Sequence, residues 1–227
     1  MARVRADRRR WLLGVGLAMA ATAGLLPRAA RGFDAKRLLA AATREGPAAR
    51  TAAQALVSAL EQAAGLDEVG QLRAINDFFN QRIQFGEDPV VWSNVDYWAS
   101  PLQTLVRGAG DCEDFAIAKY FSLLSLGMPA RRLRLVYVRA RLEGPDGPAI
   151  AHMVLAHYAA PEAVPTILDN LVLELMPANQ RTDLTPVFSF NSEGLWEGSA
   201  GRAAGDPVQR LSRWRDVLAR AREEGFR

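Results

Sequence analysis

The order of two hydrophobic patterns restricts the possible fold more than any other feature of this sequence. Residues 34–64 and 66–83 carry apolar side chains at helical spacing, and a third apolar run begins at Cys112 and ends before Gly127. The predicted strands are 133–141, 150–158 and 166–175, and a final helix begins at Asp206. Helices that precede a group of strands predict an α+β fold with an antiparallel sheet.

The first 32 residues differ in composition from the rest of the chain. A basic stretch up to Arg10 precedes an apolar run from 11 to 26, which is the layout of a secretory signal. The paired arginines of the basic stretch also resemble a twin-arginine export signal. We therefore predict a signal peptide or an uncleaved N-terminal anchor over 1–32, a single domain over 33–227, and a periplasmic location for that domain.

Charge and cysteine content exclude several classes of protein. The formal net charge of the chain is +3, but residues 1–32 contribute +6, so the remainder carries −3. Nothing in that remainder indicates nucleic-acid binding. Because Cys112 is the only cysteine, the chain has no intrachain disulfide framework and no cysteine-based zinc cluster.

Cys112 lies in a glycine-rich segment immediately before the apolar run of a predicted helix. The free N–H groups and the positive dipole end of a helix N-terminus favour a thiolate, so the position suits a nucleophile. Asp111 is a candidate N-cap for this helix. The carboxylates of Asp111, Glu113 and Asp114 surround the thiol, however, and should oppose its ionisation. The alternative interpretation of a lone cysteine is a small buried apolar side chain.

A cysteine nucleophile needs a base, and the base needs a group that orients it. The two histidines, His152 and His157, are five residues apart on one predicted strand and therefore lie on opposite faces. We select His152 because it lies near the start of the strand, beside a turn. Asp169, an acid within an apolar run, is the candidate orienting group. Both also have structural interpretations, as a buried histidine and as a turn or bulge residue.

Three blocks of sequence resemble the bacterial transglutaminase-like cysteine proteinases, a family whose LapG-type members are periplasmic proteases that cut large surface adhesins. The most specific block runs from Gly110 to Phe121. The other blocks are 96–101 and the paired segments 134–138 and 151–155. The resemblance implies a papain-like, transglutaminase-like core, in which the nucleophile lies at a helix N-terminus packed against an antiparallel sheet.

The same resemblance assigns roles to the candidate residues. It implies that Cys112 is the nucleophile, His152 the general base and acid, and Asp169 the orienting carboxylate. His157 has no role in the family pattern.

The resemblance also implies a calcium site beside the nucleophile. Two unit charges about 4 Å apart repel by roughly 4 kcal/mol at an effective dielectric constant near 20, so a thiolate among three acids needs a positive counter-charge. A hard divalent cation with oxygen ligands would supply it. LapG-type proteases depend on Ca²⁺, and the resemblance assigns the ligands to Asp111, Glu113 and Asp114. Backbone carbonyls of the 94–97 loop are expected to complete the coordination.

The expected function is that of a calcium-dependent periplasmic cysteine endopeptidase. By resemblance, its substrate would be the N-terminal region of a large exported adhesin, whose release promotes biofilm dispersal. A membrane receptor for cyclic diguanylate would be the inhibitory partner. Two alternatives stay open from the sequence: transglutaminase-type acyl transfer to amines, and a non-catalytic periplasmic binding module.

Overall fold

The computed structural model describes residues 33–142, 144, 147–199 and 201–226. The predicted signal segment 1–32 therefore lies outside the described residues. The helices are α1 (Ala35–Glu45), α2 (Pro47–Ala63), α3 (Glu68–Arg82), α4 (Asp88–Val91), α5 (Pro101–Arg107), α6 (Cys112–Ser125), α7 (Pro207–Arg210) and α8 (Ser212–Glu223). The strands are β1 (Gln84–Phe85), β2 (Ala109–Gly110), β3 (Leu133–Arg141), β4 (Ala149–His157), β5 (Thr166–Leu168), β6 (Met176–Pro177), β7 (Leu184–Phe190), β8 (Leu195–Glu197) and β9 (Ala203–Gly205).

Seven of these strands form one antiparallel sheet in the order β6-β5-β4-β3-β7-β8-β9. The N-terminal helices precede this sheet in the chain, so the predicted α+β class is confirmed. Helix α6 packs on β3 and β4 at the centre of the sheet, and α3 and α5 pack on α6. This central place positions the N-terminus of α6 against the strand that carries His152.

The two faces of the sheet are buried in different ways. On one face Leu133, Leu135 and Leu155 join a large core with α6 and the other helices. On the other face Val136, Val138 and their neighbours form a smaller apolar cluster, which no helix of the described residues covers. The alternation of the two sets along β3 follows from the two-residue period of a strand.

Helix α6 is the central helix of the core, and nearly all of its side chains are buried. Asp111 caps its N-terminus, accepting hydrogen bonds from the backbone N–H groups of Glu113 and Asp114. After α6, Gly127 adopts φ +91°, a conformation that favours glycine. The predicted N-cap and the end of the helix are both confirmed.

The predicted strand 166–175 is shorter in the structure. Strand β5 ends at Leu168, because the side chain of Asp169 accepts hydrogen bonds from the backbone N–H groups of Asn170 and Leu171. Such local bonds draw the backbone away from a strand ladder. Pairing resumes only in the two-residue strand β6.

The sequence did not indicate the strands that follow β6. Strand β7 contains Pro186, and its pairing with β3 shifts register between Tyr137 and Val138. Proline within an apolar run argues against a strand when only the sequence is considered. Strands β8 and β9 span three residues each, which is too short for a periodic pattern.

Within the described ranges, no helix has the length and apolar character needed to cross a membrane.

Trp214 on α8 anchors the C-terminal helix to the core. Its side chain is fully buried and packs edge-on against Tyr120 and Phe190, with ring centroids 5.6 and 5.3 Å away. We expect Trp214→Ala to lower the free energy of unfolding by ~3–5 kcal/mol, because it empties a large buried volume. Urea denaturation measures this effect. The control is Arg215→Ala at the exposed neighbouring position, for which we expect a change within ~0.5 kcal/mol; equal effects of the two variants would contradict the prediction.

Candidate active site and acidic cluster

Cys112 is the first residue of α6 and lies where that helix meets β4. Its side chain is partly buried at the edge of the core. The thiol donates to Glu113 Oε2 at 2.8 Å, and the backbone N–H of Met153, the residue after His152, is close enough to lower the pKa of the thiol. The sequence predicted that Cys112 lies at a helix N-terminus packed against the sheet, and the structure has it there.

The surroundings of Cys112 disfavour an isolated thiolate. Burial raises the pKa of the thiol well above its ordinary value, and the carboxylates of Glu113 and Asp111 raise it further. The backbone N–H of Met153 acts in the opposite direction. A reactive thiolate at this position therefore requires a proton acceptor and additional positive charge.

The imidazole of His152 is hydrogen-bonded to the carboxylate of Asp169. The distance between His152 Nε2 and Asp169 Oδ1 is 2.7 Å, and both side chains are buried. His152 lies on β4 and Asp169 follows β5, and the pairing of Leu155 with Leu168 brings the two strands together. Nδ1 is the ring nitrogen that Asp169 does not engage, so it is the one available for proton exchange with a thiol.

Asp169 has several hydrogen-bond partners besides His152. Arg181 Nη2 donates to Oδ2 at 2.8 Å. The backbone carbonyl accepts from Lys119 Nζ at 2.9 Å and from Asn80 Nδ2 at 2.8 Å. Burial by itself would raise the pKa of Asp169, but the hydrogen bond and charge of His152, the local backbone N–H groups and Arg181 lower it below its ordinary value. Asp169 is therefore held as a carboxylate.

Lys119, Asn80 and Arg181 were not identified from the sequence. Lys119 lies two helical turns after Cys112 on α6, and its side chain is buried. Burial lowers the pKa of this lysine to about 7. The one sequence signal for these contacts was a lysine within the apolar run of a buried helix, because lysine is rarely buried without a partner.

His157 lies apart from this arrangement. Its Nε2 is 3.4 Å from Glu68 Oε1 on α3, and Glu68 also pairs with Arg132. Burial lowers the pKa of His157 below its ordinary value, so the neutral form is favoured. Its contacts are those of a structural residue.

A cluster of carboxylates lies next to Cys112. Oxygens of Asp88, Asp111 and Asp114 all lie within 4.8 Å of one another. Two of the three predicted metal ligands, Asp111 and Asp114, belong to this cluster, whereas the third, Glu113, is hydrogen-bonded to the thiol. Asp88 was not selected from the sequence.

The short parallel strands β1 and β2 explain how Asp88 reaches the cluster. They pair Phe85 with Gly110, so the helices that begin just after each strand have their N-termini side by side. Asp88 opens α4 and Asp111 caps α6. A pairing of two residues per strand leaves too weak a sequence pattern to predict this contact.

The 92–99 loop closes over the same carboxylates. Asp114 accepts from Trp92 Nε1 at 3.0 Å and from the backbone N–H of Ala99 at 2.8 Å. Asp88 Oδ2 accepts from the backbone N–H of Tyr97. The aromatic loop therefore covers the cluster.

The cluster has the chemistry of a site for a hard divalent cation. Burial and the neighbouring carboxylates raise the pKa of Asp111 to about 10; burial also raises that of Asp114 to about 7. Asp88 Oδ1 is buried without a hydrogen-bond partner. A Cβ on Gly110 would approach Asp114 Oδ2 to 2.5 Å, so only glycine leaves space there. Clustered carboxylate oxygens with a free acceptor fit calcium.

The sheet, the helix with Cys112 at its N-terminus and the buried pair of His152 and Asp169 define the class of protein as a transglutaminase-like cysteine protease. The family model of the bacterial transglutaminase-like cysteine proteinases matches residues 48–186. This chain belongs to that family and is a cysteine protease.

Solved structures of LapG from Legionella pneumophila are similar over most of both chains. One is 35% identical with a TM-score of 0.70 and covers 83% of this chain and 97% of LapG. An EGTA-treated form has the same identity and coverage with a TM-score of 0.71. A calcium-bound form is 35% identical with a TM-score of 0.70, covering 82% of this chain and 98% of LapG. No curated protein matches the chain.

The raised pKa values predict how stability depends on pH when a chelator removes divalent cations. Because Asp111 and Asp114 have folded-state pKa values above 3.8, the folded protein binds more protons than the unfolded chain above about pH 4. The free energy of unfolding should therefore fall as pH rises towards 10. Asp111→Asn keeps the helix cap but removes the carboxyl group that must take up a proton on folding at this pH, so it should raise stability near pH 8 by about 1 kcal/mol or more.

Urea denaturation in EGTA at two pH values measures this effect. The matched control is Asp67→Asn, which alters an exposed N-cap aspartate on α3 that accepts from Gly70 N. A stabilisation of the control as large as that of Asp111→Asn would contradict the prediction.

Proposed function

We propose that this protein is a calcium-dependent endopeptidase whose catalytic triad is Cys112, His152 and Asp169. One observation supports the proposal above all others. The His152–Asp169 pair is buried, His152 lies on β4, against which α6 packs, and the backbone N–H of the residue after His152 is close enough to lower the pKa of the thiol. These observations support the assignment of Cys112 as the nucleophile, His152 as the base and Asp169 as the orienting carboxylate.

In this mechanism His152 Nδ1 accepts the proton of the thiol as Cys112 Sγ attacks a peptide carbonyl. The backbone N–H of Cys112 is placed to donate to the oxyanion, since the first N–H groups of a helix lack intrahelical partners. His152 then protonates the leaving amine. Water attacks the acyl-enzyme, with the imidazole as base, and Asp169 stabilises the imidazolium in both steps.

Calcium held by Asp88, Asp111 and Asp114 would supply the positive charge that the thiolate lacks. Support comes from the fit of these carboxylates to a hard cation and from the calcium-bound form of the similar Legionella protein. Glu113, the remaining acid of the predicted set, is hydrogen-bonded to the thiol. The positive charge of a bound calcium ion would offset the negative charge of this carboxylate as well.

Calcium binding should be measurable without a substrate. We expect saturating Ca²⁺ to stabilise the chelator-treated protein by ~2.7 kcal/mol at a concentration of 100 times Kd, because the folded state alone has the site. Asp88→Asn should abolish most of this stabilisation. Glu87→Gln removes a charge from the exposed preceding residue and should retain it. Thermal denaturation with and without Ca²⁺ gives the comparison; equal responses of the two variants would sink the ligand assignment.

We also propose a periplasmic location, a large exported adhesin as substrate and an inhibitory membrane receptor for cyclic diguanylate. The location is supported by the basic and apolar composition of residues 1–32. The substrate and the partner are supported by membership of the family and by the similarity to LapG.

The protease proposal is tested by incubating the protein with the recombinant N-terminal region of such an adhesin from the organism that encodes it. We expect one cleavage event in Ca²⁺ and none in EGTA. Cys112→Ala should abolish cleavage, because no other cysteine is present, with little change in the free energy of unfolding. Cleavage that persists in Cys112→Ala would falsify the proposal. Conjugation of a labelled amine in place of hydrolysis would indicate a transglutaminase.

A further inference from the structure

We propose that Arg181 is a positioning residue of the catalytic triad, which acts by holding the carboxylate of Asp169 in the orientation that engages His152. This inference rests on the proposed function, since it requires the pair His152–Asp169 to serve Cys112. It assigns a role to a residue that lies outside the sequence blocks of the family resemblance.

Arg181 follows the short turn Ala178–Gln180, and its side chain is only 3% exposed. Nη2 donates to Asp169 Oδ2 at 2.8 Å. The same guanidinium donates from Nε to Asp183 Oδ1 at 2.9 Å and from Nη2 to Asp183 Oδ2 at 2.7 Å. Asp183 thus orients the planar guanidinium with two hydrogen bonds, and the guanidinium in turn holds Asp169.

The two oxygens of Asp169 have separate partners. Oδ1 accepts from His152 and from two backbone N–H groups, whereas Oδ2 accepts from Arg181. A carboxylate with both oxygens engaged cannot rotate about its Cβ–Cγ bond without losing a hydrogen bond. The orientation of the imidazole, and hence of Nδ1, follows from the orientation of this carboxylate.

Lys119 does not duplicate this role. Its Nζ donates to the backbone carbonyl of Asp169, so it holds the end of β5 and leaves the carboxylate free to turn. Among the described residues, Arg181 is the one cationic side chain that donates to the carboxylate, apart from His152 if protonated.

A cavity of about 270 Å³, on the sheet face that carries Val136 and Val138, borders Arg181. Its walls are largely apolar, with Val136, Val138, Val154 and Ile167 among them. Removal of the arginine side chain would extend this cavity towards Asp169. A small guanidinium compound could then enter and replace the missing group, which makes the proposal testable by chemical rescue.

The test uses the reactivity of the nucleophile, so it does not depend on the natural substrate. Cys112 is the only cysteine, and its rate of alkylation by iodoacetamide near neutral pH in saturating Ca²⁺ reports on the thiolate that His152 stabilises. We expect Arg181→Ala to lower this rate about 10- to 100-fold, the usual effect of losing a hydrogen bond to a charged group. Millimolar ethylguanidinium should restore much of the loss, and Arg181→Lys should restore part of it.

Arg132→Ala is the matched control. Arg132 also forms a bidentate pair with a carboxylate, that of Glu68, but it does not contact the triad. We expect its alkylation rate to match that of the unmodified protein and to be unaffected by ethylguanidinium. A rate loss in Arg181→Ala that neither ethylguanidinium nor lysine restores would overturn the proposal and indicate a purely structural role.

Asp169→Asn separates this inference from the proposed triad. If Asp169→Asn reacts as fast as the unmodified protein, the triad itself is wrong. If Asp169→Asn is slow but Arg181→Ala reacts normally, the triad stands and the role of Arg181 is wrong. Slow reaction of both variants, with rescue of Arg181→Ala alone, is the expected result.

Discussion

The site depends on how one buried carboxylate, that of Asp169, is held. Its side chain ends strand β5 by bonding its own following backbone, and it pairs with His152 at 2.7 Å. Its carbonyl accepts from Lys119 on the helix that carries Cys112. A buried ionised group is stable only when its acceptor capacity is satisfied. Because these partners, together with Arg181, come from helix α6, the sheet and the segment after β6, the same contacts that stabilise the charge also hold these segments together.

The acids around Cys112 have the opposite effect on stability. The N-terminus of α6 should favour a thiolate, but burial, together with the surrounding acids, raises the pKa of Cys112, Asp111 and Asp114. Repulsion of this kind lowers stability in the absence of a counter-charge. Functional sites commonly retain such unfavourable arrangements, because the same charges bind a ligand. The acidic cluster is therefore a cost to the fold that a bound cation would remove.

The main elements could be predicted because their signals are local. The strand from Leu133 to Arg141 agrees with its predicted bounds, and α6 begins directly after the predicted cap, Asp111. The third predicted strand was too long, because its apolar pattern continues past Asp169 while the side chain of that residue turns the backbone away. Strands β7 to β9 were missed, since a proline and short lengths obscure their periodicity.

The sequence by itself determined the fold class, the candidate nucleophile and its candidate partners, because local periodicity and a specific motif around Cys112 carry that information. Only the tertiary structure decided which carboxylates meet. The pairing of β1 with β2 brings Asp88 to Asp111, while Glu113 faces the thiol. The tertiary structure also places Arg181, which follows β6, against Asp169, which follows the neighbouring strand β5. These contacts join residues distant in the chain through very short or irregular segments, which leave no periodic signal from which to predict them.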